Sequence, residues 1–240
     1  MVTDRSPVKT YVICSAREWN RELAQRLSQR TGHQFELINR PEDLTAEKLN
    51  SLNATTVFFP HWSWIVPASV HTAFDCVMFH MTDLPYGRGG SPLQNLIVRG
   101  HKDTVMTAFL CSEEMDAGPV LLKQPLSLHG TAGEILVRAN ELIEQMIVEI
   151  IEQRPEPVPQ KGEVVPFQRR TPADGNIARL DNLNQVYDYI RMLDAEGYPP
   201  AHIDIGAMRL EFRQASRSED AVQADVTITL RTDPNPSETP

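Results

Sequence analysis

Two short runs of this sequence hold residues whose types and spacing could do chemistry. The first, Phe79-His80-Met81-Thr82-Asp83-Leu84-Pro85-Tyr86-Gly87-Arg88-Gly89-Gly90-Ser91-Pro92, follows an apolar stretch that reads as a buried strand and precedes a helical pattern. His80 is therefore expected at the carboxyl end of a strand, where open α/β sheets build their sites. Glycines and prolines around Arg88 describe a backbone shaped to approach a ligand. A helix start at Ser91-Pro92 would offer free N–H groups to an anion or a polarised oxygen. The second run, Glu113-Glu114-Met115-Asp116-Ala117-Gly118-Pro119-Val120, again follows a strand-like stretch, Thr104 to Cys111. Neighbouring parallel strands would bring Asp116 towards His80. A carboxylate beside an imidazole holds one tautomer and favours its charged form, the pairing a general base uses. Each run alone also has a plainer reading: a histidine at a strand end can serve structure, and Asp-Ala-Gly-Pro is good turn chemistry whatever the function.

The elements that must position these residues alternate. Thr10 to Cys14, a helix from Ala16 to Arg30 with Trp19, Leu23 and Leu27 on one stripe, and Phe35 to Ile38 follow βαβ grammar. A second helix at Thr45 to Leu52 leads to Thr55 to Phe59, then Cys76 to His80, then Thr104 to Cys111. Several of these runs are continuously apolar, as strands buried on both faces of a parallel sheet should be. Thr131-Ala132-Gly133-Glu134 opens the longest helix with a capping box, and Ile135, Leu136, Ala139, Ile143, Met146, Ile147 and Ile150 recur at helical spacing. The Pro-rich stretch from Pro155 to Pro159 ends it. The expectation is an α/β, doubly wound, Rossmann-like and mostly parallel sheet over 1–154, with a small α+β C-terminal appendage over 155–231. That appendage holds a helix from Leu183 to Ala195 capped by Gly197, and strands at Arg209 to Gln214 and Val222 to Leu230. Residues 232–240, TDPNPSETP, are expected to be a disordered tail.

Charge narrows the partners. There are 23 Lys and Arg against 32 Asp and Glu, a net charge of −9, so the summed field repels polyanions. Cys14, Cys76 and Cys111 are an odd number with no CxxC pair, each inside an apolar run, and are expected to be reduced core residues rather than a metal or redox site. No apolar run reaches membrane-spanning length. The polar start, Met1 to Lys9, carries no apolar signal region, so the expected address is cytoplasmic. Cys14-Ser15-Ala16-Arg17 after the first strand is no glycine-rich turn, which leaves an NAD-type site without a fingerprint.

The ordered elements resemble the formyltransferases that use 10-formyltetrahydrofolate. That family pattern is Asn-x-His, a Ser-Leu-Leu-Pro-like turn, Arg-Gly and Pro, and some three dozen residues later Asp-x-Gly. His80, Leu84-Pro85, Arg88-Gly89, Pro92 and Asp116-Ala117-Gly118 match it in order, across roughly residues 55–151. The resemblance implies 10-formyltetrahydrofolate as formyl donor, His80 as the general base towards an attacking amine, Asp116 as its orienting carboxylate, and no metal. Pro60 to Pro67 then corresponds to the loop along the pteridine, with Trp62, Trp64 and Ile65 as apolar wall and Leu110, Cys111 and Glu114 supplying backbone opposite. Arg88 and Gly89 belong to the same cofactor-binding set. The stretches Phe167 to Pro172 and Val186 to Pro199 are similar to the segment after the catalytic domain in sugar-modifying members.

One position departs from the pattern. Met78 stands where the family has an asparagine expected to hold the developing oxyanion, and a thioether cannot donate a hydrogen bond. Gln94 and Asn95, in the helix that Ser91-Pro92 opens, or backbone N–H groups near Gly89-Gly90, are the candidate substitutes. The expected function is formyl transfer to a primary amine of a small substrate, a nucleotide-linked amino sugar, with no nucleic acid and no membrane as partner and a homodimer left open. Alternatives are a catalytically silent homologue that binds folate or a nucleotide sugar, a hydrolase of the formyl donor, and a methionyl-tRNA formyltransferase.

Overall fold

In the computed structural model, which describes residues 7–17 and 20–231, the chain runs β1 (Thr10–Cys14), α1 (Asn20–Thr31), β2 (Gln34–Ile38), α2 (Ala46–Ser51), β3 (Ala54–Phe59), α3 (Ala68–His71) and β4 (Asp75–His80). It continues through β5 (Tyr86–Gly89), α4 (Pro92–Val98), β6 (Asp103–Leu110), β7 (Val120–Ser127), α5 (Ala132–Gln153) and β8 (Val165–Phe167). The last elements are α6 (Leu183–Arg191), β9 (Ala201–Ile205), β10 (Met208–Arg217) and β11 (Val222–Leu230). The expectations for Trp19 and for the 232–240 tail lie outside the described residues.

Local chemistry sets these boundaries. The hydroxyl of Thr45 accepts the Lys48 N–H and so starts α2 at the next residue. Thr131 and Glu134 close the capping box of α5: the Glu134 carboxylate accepts the Thr131 N–H at 2.8 Å and the Thr131 hydroxyl accepts the Glu134 N–H at 3.3 Å. All seven apolar residues singled out at helical spacing along α5 are buried. The helix α6 stops at Arg191 rather than Ala195. Its next turn is pulled away because the Asp194 carbonyl accepts the Gly133 N–H and the Asp194 carboxylate accepts the Gln214 N–H.

The chain divides into two compact units, one of residues 1–89, 104–126 and 138–166, the other of residues 90–103, 127–137 and 167–240. The division is therefore not a single cut at residue 154. The Pro-rich stretch stays with the first unit because Val158 exchanges both backbone hydrogen bonds with Val120, at 2.7 and 2.8 Å.

In the first unit a six-stranded sheet has the order β2-β1-β3-β4-β6-β7. Strands β2, β1, β3 and β4 are parallel. On one face Val12, Cys14, Val57, Phe59 and Cys76 form a buried cluster, with Met78, Trp62 and Cys111 packed against it. Alternation along β4 puts Cys76, Met78 and His80 on that same face.

One expectation about this sheet is corrected. Strand β6 runs antiparallel to β4, pairing Val77 with Leu110 and His80 with Thr107. Between β4 and β6 the chain makes no crossover to the far end of the sheet. It re-enters beside the end it left, where the Thr104 hydroxyl donates to the Met81 carbonyl at 3.2 Å. The second unit contains α4, α6 and the antiparallel sheet β11-β10-β9, of which β9 had no signal in the sequence reading. Gly90 lies there so close to Arg169 that a Cβ would stand 2.5 Å from the arginine's own.

Candidate active site

His80 ends β4 with its ring only 10% exposed. Its Nε2 lies 2.8 Å from the carbonyl oxygen of Gly87 in β5. A carbonyl can only accept, so this nitrogen carries the proton and the neutral ring presents Nδ1 as its basic atom. Nδ1 faces the Asp116 carboxylate, with Oδ2 at 3.9 Å. That is an ion-pair separation, too long for a hydrogen bond. The same Oδ2 accepts the Gly89 N–H at 2.8 Å, which fixes the carboxylate against the strand that also holds the other side of the imidazole.

The loop carrying Asp116 can be built only with small residues in particular places. Asp116 has φ +52°, a left-handed conformation that aspartate and asparagine tolerate better than most. Two residues on, a Cβ at Gly118 would stand 1.7 Å from the Leu110 carbonyl oxygen, so no side chain fits. The close approach is enforced by the Leu110 N–H donating to the Pro119 carbonyl at 2.9 Å. The Asp-x-Gly spacing is thus what folds the chain sharply back after β6 and returns Asp116 to His80, despite the antiparallel strand.

Arg88 lies between Gly87 and Gly89 in β5. It pairs with the Glu114 carboxylate at 3.0 Å and donates through Nε and Nη2 to Gln160 Oε1 at 3.1 and 2.9 Å. The amide of Gln160 in turn donates to the Asp116 and Gly118 carbonyls at 2.8 and 2.9 Å. One glutamine therefore links the strand that holds His80 to the loop that holds Asp116. The sequence reading missed it, and missed the Gly87 carbonyl, because a glutamine in a Pro-rich stretch and a backbone oxygen carry no motif.

The proposed wall residues sit together. Trp62 and Trp64 form an edge-to-face pair with ring centroids 4.8 Å apart, and Trp62 packs edge-on against Phe59. Trp64 and Ile65 are exposed, whereas the Trp62 indole N–H is buried with no hydrogen-bond partner. An orphaned donor beside exposed apolar surface fits a flat ligand that brings its own acceptors. The neighbouring His61, at φ +55°, holds Asn140 Oδ1 through Nε2 at 2.7 Å. Burial disfavours its charged form and lowers its pKa, outweighing the asparagine hydrogen bond. Leu110 ends β6, and Cys111 is half-buried with its thiol on the Ser112 carbonyl. Burial raises the thiol pKa values of Cys14 and Cys111 and pushes that of Cys76 up to about 12. All three stay protonated at neutral pH.

The expected oxyanion donors fare differently. Asn95 is withdrawn: its Nδ2 donates to the Gly90, Ser91 and Gln168 carbonyls at 3.0, 3.1 and 2.8 Å, so the amide is spent on holding the start of α4. The Gly89 N–H serves Asp116, and the Gly90 N–H serves the Phe167 carbonyl. Gln94 is buried in the second unit, 8% exposed. Met78 is part-buried against the core cluster.

The chain resembles known proteins over much of its length. The family model described as methionyl-tRNA formyltransferase, C-terminal domain, matches residues 172–229. A structure of methionyl-tRNA formyltransferase from Clostridium thermocellum is 44% identical, with a TM-score of 0.90, and the match covers 93% of this chain and all of that one. The methionyl-tRNA formyltransferase of Gluconobacter oxydans is 30% identical over 132 residues, 53% of this chain and 43% of its own. The chain spans about half the length of the curated relatives it matches. A sugar N-formyltransferase from Shewanella shares the fold, with a TM-score of 0.65 at 16% identity over 88% of this chain and 98% of that one. Similarity to the Clostridium thermocellum protein over its whole length settles the lineage: this chain belongs to the formyltransferase family that includes methionyl-tRNA formyltransferase.

Proposed function

We propose that the chain transfers a formyl group from 10-formyltetrahydrofolate to a primary amine. The observation that carries this reading is the histidine held between two fixed acceptors: Nε2 on the Gly87 carbonyl and Nδ1 facing Asp116. The donor supplies an activated formyl group. His80 takes the proton that the amine loses as its nitrogen bonds to the formyl carbon, and it takes it at Nδ1, the nitrogen left unprotonated by Gly87. Asp116 then faces the new N–H and stabilises the imidazolium. When bound, the folate would supply the formyl group, and the proton held at Nδ1 would be the one available to its leaving nitrogen. Trp62, Trp64 and Ile65 would line the pteridine, with Leu110, Cys111 and Glu114 opposite.

For the acceptor we propose a small molecule, a nucleotide-linked amino sugar. The charge of the chain supports it. Residues 167–231 carry eight arginines and no lysine against ten carboxylates, so this part has no excess of positive charge with which to hold a polyanion. A second reading, an aminoacylated tRNA acceptor, is favoured by the match of residues 172–229 to a methionyl-tRNA formyltransferase domain. A third, a folate-binding homologue without turnover, is favoured by Met78 together with the engaged donors of Asn95, Gly89 and Gly90. Incubating the protein with 10-formyltetrahydrofolate and, in parallel, amino-sugar nucleotides and methionyl-tRNA decides among them. Formylation of the sugar alone is expected. Formylation of the tRNA alone would replace the acceptor, and release of formate without an acceptor would make the protein a hydrolase.

A further inference from the structure

Two residues of the first unit stand where local rules argue against them, and one hydrogen bond joins them. Asn140 lies in the middle of α5, on the face where Leu136, one turn before, and Ile143, one turn after, are buried. Asparagine is a poor helix former, because its amide competes for nearby backbone groups, and an apolar side chain here would extend the buried stripe. His61, two residues beyond the end of β3, has φ +55°. That conformation is uncommon for a residue with a Cβ, and local strain of this kind persists only where the surrounding structure over-determines it. The two meet at 2.7 Å, His61 Nε2 against Asn140 Oδ1. An amide oxygen can only accept, so the ring donates through Nε2.

The backbone leaving this contact carries the aromatic pair. Phe59, 1% exposed, fixes the end of β3 in the core, and beyond the left-handed turn at His61 the ring of Trp62 lies edge-on against it, with centroids 5.9 Å apart. Trp62 meets Trp64 edge-on in turn, at 4.8 Å. The Trp62 N–H is buried and has no hydrogen-bond partner among the described residues, so no polar contact of its own fixes the indole. Its orientation is left to the neighbouring rings and to the backbone that enters from His61. Trp64, 42% exposed, has less packing still to hold it.

Strained residues gather at ligand sites, and the carboxyl ends of strands are where open α/β sheets build those sites. A bond that served only to seat α5 on the sheet would need no left-handed residue at its other end.

We propose that Asn140 is a positioning residue: through the His61 ring it fixes the turn that sets the Trp62–Trp64 pair, and so preorganises the apolar wall for the flat ring of the folate. The proposal rests on the reading of Trp62 and Trp64 as that wall. A wall already in its bound arrangement has no ordering cost left when the ligand arrives, so the clamp acts on affinity.

The sequence has three tryptophans, so Trp19→Phe leaves Trp62 and Trp64 as the only two, and their coupling is read as an exciton couplet in circular dichroism. Binding is read by isothermal titration with tetrahydrofolate. In that background Asn140→Ala should lose the couplet and raise the Kd for tetrahydrofolate by about tenfold. Asn140→Asp keeps an oxygen for the imidazole N–H and should retain both. His61→Gly takes up the left-handed turn without strain but loses the ring, and should behave like Asn140→Ala. A couplet that survives in both Asn140→Ala and His61→Gly would overturn the proposal, as would a lost couplet with unchanged affinity, or an aspartate variant no better than alanine. If Asn140→Ala fails to fold, His61→Gly decides alone. A Trp19→Phe parent that binds no tetrahydrofolate would overturn the folate reading instead, and is told from a failure of the clamp because the couplet, and its loss in Asn140→Ala, are measured without ligand.

Discussion

The carbonyl oxygen of Gly87 lies 2.8 Å from Nε2 of His80, seven residues earlier in the chain, and so dictates which nitrogen of that ring is basic. Every expectation about the chemistry of this site runs through that contact, because the nitrogen it leaves free is the one facing Asp116. His80→Ala should lower formyl transfer by about 10²–10⁴-fold, the usual cost of losing a positioned general base. His80→Gln keeps a donor for Gly87 but no base, and should be as inactive as the alanine variant while folding better. Single-turnover rates and melting temperatures for the pair check this; a glutamine variant with near-normal rate would remove the base assignment.

Asp116→Asn tests the carboxylate with little disturbance of its loop. Asparagine tolerates the left-handed backbone that Asp116 adopts and keeps an oxygen for the Gly89 N–H, so the loop should hold. What it loses is the negative charge 3.9 Å from Nδ1. The expected result is a fall in kcat with the KM for the formyl donor and the melting temperature nearly unchanged. Asp116→Ala should lose stability as well, since alanine fits that backbone poorly and leaves the Gly89 N–H unpaired.

Gln160 is expected to act as a positioning residue. It makes four hydrogen bonds that tie Arg88, and through it the strand of Gly87 and Gly89, to the backbone of Asp116 and Gly118. Gln160→Glu can still accept from Arg88 but cannot donate to the two carbonyls, whereas Gln160→Ala loses all four. Turnover should fall in the order wild type, Glu, Ala, with kcat affected more than KM. The alanine variant should lose about 1–3 kcal/mol of stability from the polar groups left unpaired. Equal kcat in all three would reduce Gln160 to a plain structural tie.

How much of this could be read beforehand differs by residue. The capping box of Thr131 and Glu134 and the buried stripe of α5 were legible because both are local, set by spacing along one helix. His80, Asp116 and Gly118 were legible as an ordered motif, yet the reason for the glycine was not. Its clash with the Leu110 carbonyl exists only once β6 and β7 are folded back. The direction of β6 was misread because apolar runs are the same in parallel and antiparallel strands when both faces are buried. Asn95 was misassigned for a related reason: a helix-start amide looks available in sequence, and the Gln168 carbonyl that completes its set of acceptors lies 73 residues away.

Asn95→Ala therefore should cost stability rather than turnover. It removes the side-chain donor to the Gly90 and Gln168 carbonyls, while Ser91 keeps the backbone N–H of residue 95, an effect of about 1–3 kcal/mol read as a drop in denaturation midpoint. A variant of normal stability whose kcat had collapsed would return Asn95 to the reacting centre.

The ring of His61 gives a pH dependence with a definite sign. Burial lowers its folded-state pKa below the ordinary 6.5, so as pH falls the unfolded chain takes up the proton first. Its contribution to stability is complete above about pH 6.5 and declines progressively below it. Replacing it by glutamine, which can still donate to Asn140 but does not titrate, should flatten the fall in melting temperature between neutral and mildly acidic pH. A steeper fall in the variant would mean that the charged ring is the one the fold prefers.

The last expectation turns on Met78. It shares a face of β4 with His80, two residues away, and stands between Phe59 of β3 and Phe109 of β6. Of the donors considered for an oxyanion formed beside His80, those of Asn95, Gly89 and Gly90 are engaged elsewhere. An acyl transfer deprived of one such donor typically runs about 10²–10³-fold slower. Met78→Asn would place an amide on the face of His80, at a stability cost of about 1–3 kcal/mol for setting a polar group against the apolar cluster. If the imidazolium itself already serves, wild-type protein should be active and Met78→Asn should gain less than about tenfold in kcat. A gain approaching the full cost of a missing donor, or turnover seen only in the asparagine variant, would mean that the natural protein has given up catalysis and kept the site for binding.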